Sequence, residues 1–169
     1  MPNDRLAHIQ LRRARPDECA ELTAVAMLSK ASWGYDAEFM GRVAPEMAVT
    51  EDMFADSRIV VAHKGSELVG YYRLRLRGLD EAYLHDLFVI PAAMGIGIGR
   101  LLFESAVSDA RGAGARAVVF ESDPNAERFY EHLGATRTGR NQSLSDPKRL
   151  LPVMQYVLRD AATVNPGLT

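Results

Sequence analysis

The chain is short of cysteine, tryptophan and long apolar runs, and each shortage excludes something. Cys19 is the single cysteine, so no internal disulfide can form and the composition suits a reducing compartment. At the start of a predicted helix, it reads as a small buried hydrophobe rather than a nucleophile. No apolar stretch approaches the roughly 20 residues that span a bilayer. The first residues are polar and charged, unlike a secretory signal, so the expected compartment is the cytoplasm, with no membrane partner. Charge of one sign is also missing. Lys and Arg number 20 against 22 Asp and Glu, a formal net charge of −2, which argues against nucleic-acid binding. The basic run Leu11-Arg12-Arg13-Ala14-Arg15 reads as a solvated strand end, with a phosphate-binding patch as the alternative. His, Cys and carboxylates are nowhere spaced as metal ligands, so no metal is expected.

What remains is ordinary globular material: 169 residues, 47% hydrophobic and 25% charged, enough for one domain over residues 1–169 with a full core. His8 to Ala14 alternates as a first strand. Pro16-Asp17-Glu18 starts a helix to about Lys30, with Leu22, Val25, Ala26 and Leu28 on its apolar face. A second helical stretch runs to about Met53. Arg58–His63 and Leu68–Arg77 form a hairpin around Lys64-Gly65-Ser66-Glu67, with Leu74 and Leu76 inward and Arg73, Arg75 and Arg77 in water. After a turn at Gly78-Leu79-Asp80 comes an apolar strand to Val89. Ala117–Glu121 is a further short strand, followed by a helix to about Leu133, a loop from Asn141 to Arg149 and a last strand from Val153 to Leu158.

Glycine is concentrated at one place. Met94-Gly95-Ile96-Gly97-Ile98-Gly99 lies between the strand that Pro91 ends and a helix whose inner face carries Leu101, Leu102, Ala106 and Val107. Such a loop turns backbone N–H groups and the positive end of a helix dipole on an anion, so a phosphate-bearing ligand is expected, with Arg100 as adjacent charge. A Walker loop needs Lys and then Ser or Thr after its last glycine, whereas Arg100-Leu101 stands here. A dinucleotide fingerprint follows the first strand of its fold as Gly-x-Gly-x-x-Gly, and this loop follows a mid-chain hairpin. A nucleotide-binding module of some other fold stays open as an alternative.

Leu87-x-Val89-x-Pro91 followed by Met94-x-x-Gly97-x-Gly99 resembles the acyl-CoA signature of the GNAT superfamily of N-acyltransferases, Gln/Arg-x-x-Gly-x-Gly/Ala. A second block, Asn125-Ala126-Glu127-Arg128-Phe129-Tyr130-Glu131-His132-Leu133-Gly134-Ala135, resembles that superfamily's Asn-x-x-Ala-x-x-Phe-Tyr-x-x-x-Gly-Phe helix. Met94 departs from the usual Gln or Arg. The resemblance implies an α/β (α+β) fold: a mixed, mostly antiparallel sheet of six or seven strands, splayed at its centre, with helices on both faces. It implies acetyl-CoA as co-substrate and direct acetyl transfer to a primary amine in a ternary complex. A non-catalytic acyl-CoA sensor or scaffold of the same fold is the alternative. Homodimers are common in the superfamily.

Roles follow on the same terms. Met94 and the backbone of Gly95, Ile96, Gly97, Ile98, Gly99 and Arg100 would cradle the CoA pyrophosphate. The pantetheine arm would lie along the strand edge at Leu87 and Val89, and the Val89 N–H would polarise the thioester carbonyl. Tyr130 would protonate the leaving thiolate, Phe129 being left to serve the apolar face. Asn125 would cap its helix and hydrogen-bond the pantetheine. His85, Asp86 and Glu121 are the candidate bases, with His85 and Asp86 on opposite faces of their strand. The acceptor would be a small amine, a protein N-terminus or a lysine. Trp33 and Tyr35, with Asp36, would hold its ammonium by cation–π and charge contacts, and Trp33 reads equally as a hydrophobic plug. Arg149 would recognise a carboxylate on the acceptor or stand as a surface residue.

Overall fold

The structure, a computed structural model, describes residues 4–78 and 80–158. Period-two runs rich in Val, Leu and Tyr supply most of a sheet built from β1 (Ile9–Arg13), β2 (Ser57–Lys64), β3 (Glu67–Arg77), β4 (Glu81–Val89), β5 (Ala117–Glu121), β6 (Thr136–Gln142) and β7 (Leu150–Val157). Their order is β1-β2-β3-β4-β5-β7-β6, and the one parallel pair is β4 with β5. The helices are α1 (Cys19–Ala31), α2 (Ala37–Met47), α3 (Ile98–Gly112) and α4 (Glu127–His132). Tyr71 and Tyr72 point to opposite faces of β3, and both are fully buried, so the sheet is covered on both sides. Helix α3 lies across β2 to β5 and receives the Tyr72 hydroxyl at Asp109, 2.6 Å away; α1 lies on β3 and β4.

Two irregularities position the site. Strands β4 and β5 pair only from Glu81↔Ala117 to Tyr83↔Val119 and then part, which leaves the second half of β4 open on that side. Opposite β3, Arg73 faces Asp86 while Leu74 faces Leu84, so His85 is the extra residue of a β-bulge. Gly70 permits the close pairing beyond it, because a Cβ there would sit 2.7 Å from the Phe88 carbonyl oxygen.

Several expectations are corrected. Leu28 and Leu76 are exposed, not part of the core. Arg73 is not in water but is drawn inward to Asp86. The second helical stretch breaks at Met47 and resumes only as a 3-10 turn over Glu51–Ala55. Strand β6 was not expected at all. Every one of its residues is exposed, so it carries no alternating apolar signal and owes its place to pairing with β7. Of the turn expected at Gly78-Leu79-Asp80, Leu79 lies outside the described residues.

Candidate active site

The open half of β4 forms one wall of a cleft of about 700 Å³. The glycine loop lies at one end, Phe120 to Asp123 and α4 form the opposite wall, and the end of α1 with the β6–β7 connection closes the far side. The loop has its form for a local reason. Gly95 and Gly97 adopt φ of 79° and 103°, a region costly for any residue with a Cβ, and Gly97 is the N-cap of α3. Ile98, Leu102, Phe103, Ala106, Val107 and Ala110 then bury one stripe of α3 and fix its N-terminus at the cleft mouth. Ile98 is therefore a core residue, while Gly95, Gly97, Gly99 and Arg100 line the cleft. Ile96 lines a shallower hollow behind the loop, together with Arg5 and Arg100. Met94 is exposed at the loop's start and also lines the cleft. Arg100 leans toward Glu104 at 3.7 Å, both in water.

Leu87 and Val89 lie on the unpaired edge. The Ile90 N–H donates to the Val69 carbonyl at 2.9 Å, so strand alternation turns the Val89 N–H the other way, into the gap. Tyr130 is 7% exposed and lines the cleft, with ring contacts to Phe103, Phe120 and Phe129 at 5.7, 4.5 and 5.0 Å. Burial pushes its pKa well above that of an ordinary tyrosine, so the phenol keeps its proton. The division of labour between the two aromatics is the reverse of the expectation. Phe129 is 36% exposed and packs beside Gly99, whereas Tyr130 takes the core position and still reaches the cleft.

Both His85 and Asp86 line the cleft, as does every residue of β4 from Tyr83 to Val89. His85 sits 4.5 Å from the Tyr83 ring. Asp86 accepts from Arg73 Nε at 2.7 Å, and burial nonetheless raises its pKa. Glu121 is exposed at the end of β5, where Asn141 Nδ2 donates to it at 2.6 Å.

One carboxylate organises the far end, and sequence reasoning missed it. Asp123 Oδ2 accepts from Lys30 Nζ at 2.6 Å and from Arg149 at 2.8 Å, and Tyr35 Oη bonds both of its oxygens at 3.0 Å. These contacts, with the pull of Lys30 foremost among the charges, hold the Asp123 pKa below the usual carboxylate range despite burial. Asp123, not Asn125, caps the turn that leads into α4, by accepting from the Asn125 N–H at 2.9 Å. The Asn125 side-chain amide is turned to Tyr35 and Asp123, away from the cleft lining. The expected aromatic cage is likewise corrected. Asp36 caps α2 through the Phe39 N–H, and Tyr35 stacks on Phe39 at 4.2 Å. The cations over its ring are the protein's own, Arg149 at 5.0 Å and Lys30 at 5.4 Å. Trp33 is half-exposed on the cleft rim. No signal along the chain links positions 30, 123 and 149; only the glycine-free turn at Ser122-Asp123-Pro124 hinted at a cap.

Among the described residues, no group of His, Cys, Asp and Glu could hold a metal ion, and no helix is long and apolar enough to cross a membrane.

Comparison with known proteins gives a consistent family. A family profile described as an acetyltransferase (GNAT) domain matches residues 16–145. The chain is similar to the 5-NmdU N-acetyltransferase of Pseudomonas phage PaMx11, 30% identical over 134 residues that cover 79% of this chain and 91% of that protein. Among solved structures, a GCN5-related N-acetyltransferase from Rhodopseudomonas palustris superposes with a TM-score of 0.75 at 22% identity, covering 90% of this chain and 97% of the other. The PaiA N-acetyltransferase of Thermoplasma acidophilum, solved in complex with coenzyme A, gives 0.74 at 18% identity, covering 89% and 99%. At these identities the structural likenesses establish the fold.

Proposed function

The chain belongs to the GNAT acetyltransferase family, and from that premise we propose that it moves an acetyl group from acetyl-CoA to a primary amine by direct attack in a ternary complex. The observation that carries this reading is the open β4 edge at Val89, sharing one cleft with the Tyr130 phenol and the glycine loop. A pyrophosphate suits the N–H groups of residues 95 to 100 at the start of α3. This anchor depends on backbone, so Met94 in place of Gln or Arg leaves it intact. The peptide-like pantetheine arm takes the strand position that β5 vacates beside Leu87 and Val89. The CoA held by the Thermoplasma neighbour supports the same donor here.

In the reaction the neutral amine attacks the thioester carbonyl, a C–N bond forms and the oxygen takes up negative charge. The Val89 N–H faces that oxygen and stabilises it. The C–S bond then breaks, and the Tyr130 hydroxyl gives its proton to the departing thiolate. The proton lost from the amine goes to His85, Glu121 or Asp86, directly or through water. All three reach that region: His85 and Asp86 line the cleft on β4, and Glu121 lies at the exposed end of β5.

Thermal melting with acetyl-CoA, ATP and NAD tests the donor site. Ligand at 100 times its dissociation constant stabilises by about 2.7 kcal/mol. A shift with acetyl-CoA alone, followed by CoA release with an amine panel, is the expected result. Protection by ATP or NAD instead would overturn the donor assignment, and acetyl-CoA binding with no turnover on any amine would favour a sensor of the same fold.

A further inference from the structure

The far end of the cleft holds more positive charge than its own carboxylate can balance. Lys30, in the last turn of α1, is 9% exposed, and the Arg149 side chain is 14% exposed on the β6–β7 connection. Both converge on the same oxygen, Oδ2 of Asp123. Two cations are thus withdrawn from water against one anion, and withdrawal is costly unless each charge is compensated. Tyr35 adds no charge. Its hydroxyl, bonded to Asp123, takes hydrogen bonds from Arg149 at 2.5 Å and from Asn125 Nδ2 at 3.0 Å. Lys30 accordingly binds its proton less tightly than an ordinary lysine, burial outweighing the attraction of Asp123.

The other acids of the cleft lie elsewhere. Asp86 is matched by Arg73, Glu121 is exposed with Asn141, and Glu46 is exposed on α2, where its charge acts on Lys30 only at a distance. Lys30 and Arg149 line the cleft, whereas Tyr35 and Asn125 stand behind them. An ammonium has three donors and a guanidinium five. Among the described residues, Lys30 spends one hydrogen bond and Arg149 uses a single nitrogen, so donors are left for an incoming group.

We infer that Lys30 and Arg149 form an anion subsite, so that the acceptor is a small amine bearing a carboxylate or phosphate on the same molecule. The inference rests on the acetyl-transfer reading above and narrows its substrate class. The anion docks between the ammonium and the guanidinium and takes charge-assisted hydrogen bonds from the donors that Asp123 and Tyr35 leave free. The exposed carboxylates Glu46 and Glu121, also on the cleft, are then left for the ammonium end of such an acceptor.

The test compares acetylation of matched pairs, glycine with glycinamide and phosphoethanolamine with ethanolamine, so that the two anions are separate arms. Each member is also assayed for its effect on the melting of the CoA-saturated protein. In the wild type, the acid member of at least one pair is preferred in kcat/KM on the order of tenfold or more. Arg149→Met and Lys30→Met each leave Asp123 with one cation and bring that ratio toward one. Asp123→Asn, which leaves both cations unbalanced, moves it upward, a direction that a merely structural role does not produce. Equal or better use of the neutral members by the wild type overturns the subsite, as does a ratio that survives both methionine variants. Failure of every member to react or to shift the melting of the CoA complex overturns it too. If acetyl-CoA itself gives no shift, the acetyltransferase reading has failed before any amine is added, and the subsite falls with it.

Discussion

Tyr130 stands among Phe103, Phe120 and Phe129 with burial holding its proton in place, which suits a donor to a thiolate and rules out a phenolate base near neutral pH. Tyr130→Phe keeps the ring contacts and removes only the hydroxyl. Steady-state kinetics should show kcat falling about 100-fold, within the usual range for a general acid, with the acetyl-CoA melting shift retained. A loss below about fivefold would mean that the thiolate departs without this proton. Tyr71 offers a contrast at the same scale. Its hydroxyl is fully buried and has no hydrogen-bond partner among the described residues. A buried donor left unsatisfied costs about 1–3 kcal/mol, so Tyr71→Phe should leave the protein as stable or more stable, by about 1 kcal/mol, in urea unfolding. Destabilisation would place an ordered water on that oxygen.

Among the elements, the glycine loop and α3 act as one unit, because the left-handed backbone at Gly97 sets where the N-terminus of α3 points. Gly97→Ala adds a Cβ at φ 103° and a strain of about 1–2 kcal/mol. The melting point should drop and the stabilisation by acetyl-CoA should shrink with it. An unchanged acetyl-CoA affinity would show that this loop does not hold the pyrophosphate. The loop was legible along the chain since its signal is local: glycines between a strand and an amphipathic helix. Strand β6 was not, since its residues are all exposed and only the partner β7 defines them as a strand. The bulge at His85 was equally silent. A period-two count assumes unbroken register, and nothing in Leu84-His85-Asp86 announces that β3 skips a residue.

For the molecule as a whole, Glu18 ties the start of α1 back to the sheet. Its carboxylate pairs with Arg12 of β1 and accepts from the Arg15 N–H at 2.7 Å, while Arg12 also reaches His63 of β2 at 2.9 Å. The hydrogen bond from Arg12 lowers the Glu18 pKa from 4.5 to about 2, burial opposing it. A carboxylate depressed on folding contributes stability that is fully present above its unfolded value and is lost as pH falls toward the folded one. Unfolding free energies should therefore show wild type above Glu18→Gln at pH 7, with the gap closing between about pH 4.5 and 2. A pH-independent gap would assign Glu18 a packing role only. The Asp123 cluster is the corresponding tie at the other end, joining α1, the α1–α2 loop, the α4 approach and the β6–β7 connection through one carboxylate.

By itself the sequence determined the apolar strand ending at Val89, the glycine loop and the aromatic pair Phe129-Tyr130, and it was these that carried the resemblance implying the fold. Those features are written in contiguous residues, where backbone stereochemistry and the periodicity of apolar side chains act over a few positions. Tertiary structure alone decided which of the two aromatics enters the core, that His85 and Asp86 share the cleft, and that Lys30, Tyr35, Asp123 and Arg149 meet. The hydrogen bond between Tyr35 and Arg149 alone joins residues 114 positions apart. Such meetings depend on where β5 leaves β4 and how the connections fold back over the gap, and no local pattern encodes the path between them.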